Sequence, residues 1–321
     1  MTARSKPESG SVLRPKPLER FLFNPLFSGS YRLIWWICGN LTNKTALSFA
    51  RTAVRIMVRP FRQIRIDAMQ RFFRSSGKTK EDCASIDDKY LNYQARLLVE
   101  NVRLLTILPE QLQKSVRLEG EQHIRRALQD GQGVLLVCTH VGNWLLAPAL
   151  LSTLGYEVSA IAYEIPISAI EDHMQQIWKR YSISIAHAGR DSVRAARKAL
   201  GLNNVLIMAF DASVRPSKNE WMPFGNIAIS ADPAPARIAS LLNVPILRMR
   251  ICPKSESETS LIIQPDRADP GNPMPTWLAE LHEEVSDHPE LWWPWSFVRL
   301  GDRSSLPHES LHARNRKAVT A

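Results

Sequence analysis

The chain has 321 residues, 45% of them hydrophobic and 22% charged, and a formal net charge of +10. That length is enough to bury a substantial core, and four scattered cysteines, Cys38, Cys83, Cys138 and Cys252, exclude a disulfide framework and a zinc cluster and point to a reduced, cytosol-facing chain. The charge is lopsided: residues 1–75 hold 14 Lys or Arg against Glu8, Glu19 and Asp67, while the rest has 27 basic and 28 acidic residues. The excess therefore sits at one end, where it suits anionic lipid better than nucleic acid, and leaves the remainder almost neutral.

Residues 1–20 are polar, basic and proline-containing, a composition expected to be disordered. Phe21 to Leu41 is apolar but broken by Pro25, Gly29, Arg32 and Gly39. Its longest clean run, Leu33 to Cys38, is too short to span a bilayer, and the small-residue cleavage site of a secretory signal is missing. Trp35 and Trp36 favour the headgroup region, so this stretch reads as an interfacial helix, with a helix packed on the body as the alternative. From Ala46 to Phe73, Arg51, Arg55, Arg59, Arg62 and Arg65 recur at helical spacing, with Pro60 expected to kink or end the first segment. Such a stripe fits an anionic membrane surface or is simply a solvated face.

Asp87 to Ile107 and Gly120 to Asp130 have helical patterns. Val134 to Cys138 is an unbroken apolar run after Gly133, the pattern of a strand covered on both faces. Thr139, His140, Gly142 and Asn143 interrupt it, and Trp144 to Leu154 resumes as an apolar helix. His140 thus stands where a strand ends and a helix begins, the edge at which ligands bind in α/β sheets. It is a candidate general base, or a histidine satisfied within a turn. Strand Glu157 to Tyr163, helix Ser168 to Tyr181, short strand Ser182 to Ala186, helix Arg190 to Leu200 and buried strand Asn204 to Phe210 follow. Then come helix Pro233 to Leu242 and strands Val244 to Ile251 and Ser260 to Gln264. The alternation predicts a mixed α/β sheet flanked by helices. There is no internal repeat and no glycine-rich phosphate loop.

The segment GVLLVCTHVGNW, Gly133 to Trp144, resembles the THxGNWE block of the bacterial lipid A late acyltransferases, the lauroyl and myristoyl transferases of the lysophospholipid acyltransferase superfamily. Further matches follow in order. They are Gln176 to Arg180, then Asp211 after a buried strand, then Trp221-Met222-Pro223-Phe224-Gly225, then the small-residue helix from Ala231 and Val244-Pro245-Ile246. The resemblance runs from about residue 60 to 300. It implies a glycerolipid acyltransferase-like fold. Taken with the charge distribution, the chain divides into a basic, membrane-associated region, 1–75, an α/β domain, 76–300, and a polar tail, 301–321.

Three positions depart from the family pattern. Leu145 occupies the acidic position of the H-x-x-x-x-D/E motif, Tyr163-Glu164-Ile165-Pro166 replaces a tyrosine-arginine-proline, and Phe297 stands where the closing motif has histidine. Acyl transfer to a hydroxyl needs a base and, by the triad template, a carboxylate to orient it. The resemblance makes His140 the base. Either Asp211 takes over orientation, or the protein is a catalytically impaired relative that binds lipid or an acyl carrier, or it keeps the shape for assembly.

Arg180 would neutralise phosphate on a glycolipid or carrier or form a surface ion pair. Asn143 belongs to the same motif and is assigned to substrate binding. Asp211 could alternatively cap its loop. Trp221 and Phe224 would line an acyl groove or pack as ordinary core. The implied reaction moves a fatty acyl group from acyl carrier protein or acyl-CoA to a glycolipid hydroxyl, on the cytoplasmic face of the bacterial inner membrane, without metal or resident cofactor.

Overall fold

A computed structural model describes residues 25–302 except 166, 190, 213–220, 256–257 and 297–299. The expected disorder of residues 1–20 and the tail from 303 onward lie outside the described residues, as do residues 297–299 of the closing motif.

In chain order the helices are α1 (Pro25–Asn40), α2 (Asn43–Val58), α3 (Arg62–Phe72), α4 (Lys80–Arg103), α5 (Pro109–Ser115), α6 (Glu121–Leu128), α7 (Leu146–Thr153), α8 (Ser168–Arg180), α9 (Ser192–Gly201), α10 (Ala234–Leu242) and α11 (Met274–Asp287). The strands are β1 (Val116–Glu119), β2 (Val134–Cys138), β3 (Val158–Ala162), β4 (Ser184–His187), β5 (Val205–Ala209), β6 (Trp221–Phe224), β7 (Ile227–Ser230), β8 (Ile246–Pro253), β9 (Thr259–Pro265) and β10 (Leu300–Asp302). Seven of them form one sheet in the order β1-β9-β8-β2-β5-β3-β4, and β10-β7-β6 form a small antiparallel sheet. In the large sheet only the β8–β9 pair is antiparallel. The mixed α/β sheet with helical flanks is as the sequence predicts.

The centre of the sheet shows why its strands are continuously apolar. In β2, Leu135 and Val137 enter the core on one face, while Val134, Leu136 and Cys138 enter the core on the other. β5 divides in the same way, with Leu206 and Met208 on one side and Val205 and Ile207 on the opposite side. A strand with period two and a hydrophobic layer above and below has no position for a polar residue until it leaves the sheet.

The N-terminal helices pack onto this body. Cys38, Ala46, Ala50 and Ala95 are fully buried where α1, α2 and α4 meet, and the alanines allow close helix approach. Pro60 ends α2: a 3-10 turn over Arg59–Phe61 separates it from α3. Helix α3 then delivers Ile66, Met69 and Phe72 into the same core as Phe224, Trp292 and Trp295.

The arginine stripe is not uniform, because the two helices break its register. Arg55, Arg59 and Arg62 are exposed, but Arg65 is fully buried and makes a fork with Asp87, Nε to Oδ1 at 2.5 Å and a terminal nitrogen to Oδ2 at 3.2 Å. Its other terminal nitrogen donates to the Val58 carbonyl at 3.1 Å, so the pair also closes the end of α2. Helix α4 begins earlier than the pattern from Asp87 suggested, because Thr79 and Asp82 form a reciprocal capping box. No described helix is long and apolar enough to cross a membrane.

Candidate active site

Strands β2 and β5 are parallel neighbours with Cys138 opposite Ala209. His140 and Asp211 each lie two residues beyond that pair, so the register alone carries both to one edge of the sheet. The Phe210 amide donating to the Cys138 carbonyl at 3.3 Å extends the ladder up to them. The result is a direct contact: His140 Nδ1 and Asp211 Oδ1 are 2.7 Å apart.

Asp211 is fully buried and every oxygen is used. Its Oδ2 accepts the His140 backbone N–H at 2.9 Å and the Trp292 indole N–H at 2.9 Å. Burial alone would raise its carboxyl, but the neighbouring His140 charge, the ring and amide hydrogen bonds and the indole donor outweigh it and hold Asp211 below the ordinary carboxylate value. An ionised carboxylate only accepts hydrogen bonds, which places a proton on His140 Nδ1 and, in the neutral imidazole, leaves Nε2 as the acceptor. Among the described residues Nε2 has no hydrogen-bond partner, and the ring is 17% exposed.

Two tryptophans frame the imidazole. Trp293 stacks on it with centroids 5.6 Å apart and planes 30° apart, and Trp144 presents an edge at 5.5 Å and 80°. The Trp293 amide donates to the His140 carbonyl, Val141 bridges Trp292, and the Gly142 amide donates to Leu291. The turn is thus pinned to the segment 291–293. Gly142 has φ of +77°, and a Cβ there would lie 2.9 Å from the Ile251 carbonyl oxygen, so this crossing requires glycine. The Tyr90 hydroxyl donates to the Trp293 carbonyl and ties the same segment to α4.

The other predicted residues are placed differently. Asn143 is buried and its amide nitrogen donates to Glu100 Oε2 and Asn101 Oδ1, each at 2.9 Å, while its oxygen accepts the Leu145 amide. Its amide nitrogen fastens the turn to α4, and its oxygen closes the turn on itself. Arg180 is exposed at the end of α8 and donates to the Ile107 carbonyl at 2.7 Å. From that segment it is Trp178, whose ring centroid is 6.0 Å from that of Trp144, that reaches toward the site.

Phe224 is buried among Phe72, His282 and Trp292, and Trp221 is half-buried at the start of β6. Leu145 is 2% exposed within the apolar cluster around α7. Cys138 is no thiolate nucleophile: burial and then the Asp211 charge push its thiol upward.

In the sequence Trp292 and Trp293 stand in the aromatic run Trp292-Trp293-Pro294-Trp295. Their link to His140 runs through contacts some 150 positions away that no local pattern announces.

A family model of bacterial lipid A biosynthesis acyltransferases matches residues 33–296. The chain belongs to that family. The match covers most of the chain, from α1 to the closing tryptophans, and supports acyltransferase activity in general. No curated protein matches it. Within the family frame, Leu145 leaves the motif's acidic position empty, while the Asp211 carboxylate lies on the His140 ring nitrogen.

Proposed function

We propose that the protein transfers a fatty acyl group from acyl carrier protein or acyl-CoA to a hydroxyl of a lipid A-like glycolipid at the cytoplasmic face of the inner membrane. The observation that carries this reading is the Asp211 carboxylate on His140 Nδ1, with Nε2 directed away from it. Nε2 takes the proton of the acceptor hydroxyl as its oxygen attacks the thioester carbonyl. The imidazolium formed is stabilised by Asp211, which acts as a positioning residue. As the C–S bond breaks, the proton passes to the departing thiolate, giving an ester and a free thiol.

Membrane attachment through the N-terminal helices is part of the proposal. Leu33 and Trp36 on α1 are 57% and 65% exposed, and Ile56 on α2 is 69% exposed, close to the exposed Arg55 and Arg59. Large apolar side chains outside the core beside cations suit an anionic bilayer surface. Asn143, Arg180, Trp221 and Phe224 enter this proposal only as second contributors to acceptor binding, since the Asn143 amide is spent on α4 and Arg180 is tied by one bond to the Ile107 carbonyl.

The test uses purified protein in liposomes with labelled acyl carrier protein and acyl-CoA donors and a bacterial glycolipid acceptor, wild type beside His140→Ala. Esterified product from the wild type alone supports the reaction. A wild type that binds vesicles without turnover returns the chain to the reading of a lipid- or acyl-carrier-binding relative.

A further inference from the structure

A groove of about 700 Å³ lies behind the His140 turn, between α2, α4, the carboxyl end of β8 and the start of the segment 290–293. Its lining includes five cations, Arg51, Lys89, Arg96, Arg250 and Lys254, against two acids. Those acids are engaged: Glu284 meets Arg250 at 3.3 Å, and Glu290 lies 3.9 Å from His288. Arg96 is held by Glu100 and by the Ser255 carbonyl. Lys89 and Lys254 are exposed and have no ion-pair partner among the described residues.

The shape of the groove follows from the helix. Lys89, Tyr93 and Arg96 recur at intervals of four and three and so form one stripe along α4, about 10 Å long at the helical rise. The same lining includes the apolar side chains Leu47, Ile251 and Leu291. Cations and apolar side chains in one groove suit a ligand that joins a phosphate to an uncharged chain.

The groove also shares structure with the site. Ile251 lies directly under Gly142, Leu291 accepts the Gly142 amide, and Tyr93 is hydrogen-bonded to the backbone of Asn143. A ligand held there is separated from His140 by the thickness of one turn.

We propose that this groove, with Lys89 and Lys254 as the cations unpaired among the described residues, binds a phosphate ester of one of the reactants. The assignment rests on the acyl-transfer reading for the identity of the reactants but not for the binding itself. The phosphate is that of the acyl donor or that of the glycolipid acceptor, and the two are separable.

Full-length protein in detergent would be titrated calorimetrically with inorganic pyrophosphate, with coenzyme A, and with a phosphorylated glycolipid beside its dephosphorylated form. The variants are Lys89→Gln with Lys254→Gln, the charge-keeping Lys89→Arg with Lys254→Arg, and Lys114→Gln as an exposed control on α5. Losing two exposed contacts is expected to weaken binding roughly tenfold. The arginine pair and the control should bind as wild type does.

Loss confined to coenzyme A assigns the groove to the donor, and loss confined to the phosphorylated glycolipid assigns it to the acceptor. A wild type that binds no phosphate probe, or a glutamine pair that binds as tightly as wild type, overturns the proposal. Phosphate binding lost in the glutamine pair by a protein that shows no acyl transfer would leave the groove standing and remove the proposed reaction.

Discussion

Asp211→Asn is the sharpest probe of the site, since it removes a charge and almost no volume. The amide oxygen would take the Oδ2 position, where two donors, the His140 amide and the Trp292 indole, already converge. The NH2 group is then forced toward His140 Nδ1, 2.7 Å from the present Oδ1. A donor at that point requires Nδ1 to be the unprotonated nitrogen, so the ring proton moves to Nε2, the atom that has to accept the hydroxyl proton. Both the correct tautomer and the countercharge are lost together.

By the Ser-His-Asp template such a change lowers kcat by about 10⁴, or about 5 kcal/mol of barrier. The Oδ2 donors remain satisfied, so the fold should survive. Initial rates with saturating labelled donor, measured with thermal unfolding of the same preparations, make the comparison. A variant that keeps more than about a tenth of wild-type kcat, while His140→Ala is inactive, would refute the assignment of Asp211 as the group that orients the imidazole.

Three further outcomes follow from the packing. Leu145→Glu, which restores the family's acidic residue, should not raise activity and should destabilise by about 3 kcal/mol, because position 145 is 2% exposed within an apolar cluster; a urea midpoint equal to wild type would contradict this. Asp87→Asn leaves Arg65, buried at 0% exposure, without its countercharge and should cost about 3 to 5 kcal/mol by chemical denaturation. His173 is 2% exposed, beneath Trp35 with ring centroids 3.8 Å apart and near Tyr31, and burial lowers its pKa from 6.5 to about 4. The unfolded chain therefore takes up the proton first, so the stability from neutral His173 is complete above pH ~6.5 and falls by about 3 kcal/mol as pH drops to ~4. In His173→Gln the slope of unfolding free energy between those pH values should flatten; an unchanged slope would show that other groups carry it.

The parts of the molecule legible in its sequence are those fixed by short-range pattern. The runs in β2 and β5 are apolar at every position because both faces are covered, and that is visible without a partner strand. The turn that holds His140 announces itself by interrupting such a run. What pattern does not carry is adjacency: Arg65 shared a spacing with exposed arginines, and only Asp87, 22 positions on, distinguishes it. The strands β1 and β10, four and three residues long, are too short for any periodicity to register. Helix α11 had a readable stripe in Trp277, Leu278, Leu281 and Val285, all buried, but its proline-rich start masked it.

Leu145 and Asp211 become one observation once adjacency is known. An imidazole has a single Nδ1, and Asp211 occupies it with three donors gathered on its two oxygens. Position 145 is buried in the apolar cluster that holds Leu146 and Leu150, so a second carboxylate there would be set among apolar side chains. An acidic residue there would be a buried charge without a partner, which costs more than it returns. The apolar side chain at 145 and the fully bonded carboxylate at 211 are therefore mutually consistent, and the departure from the family's motif does not by itself deprive His140 of a partner.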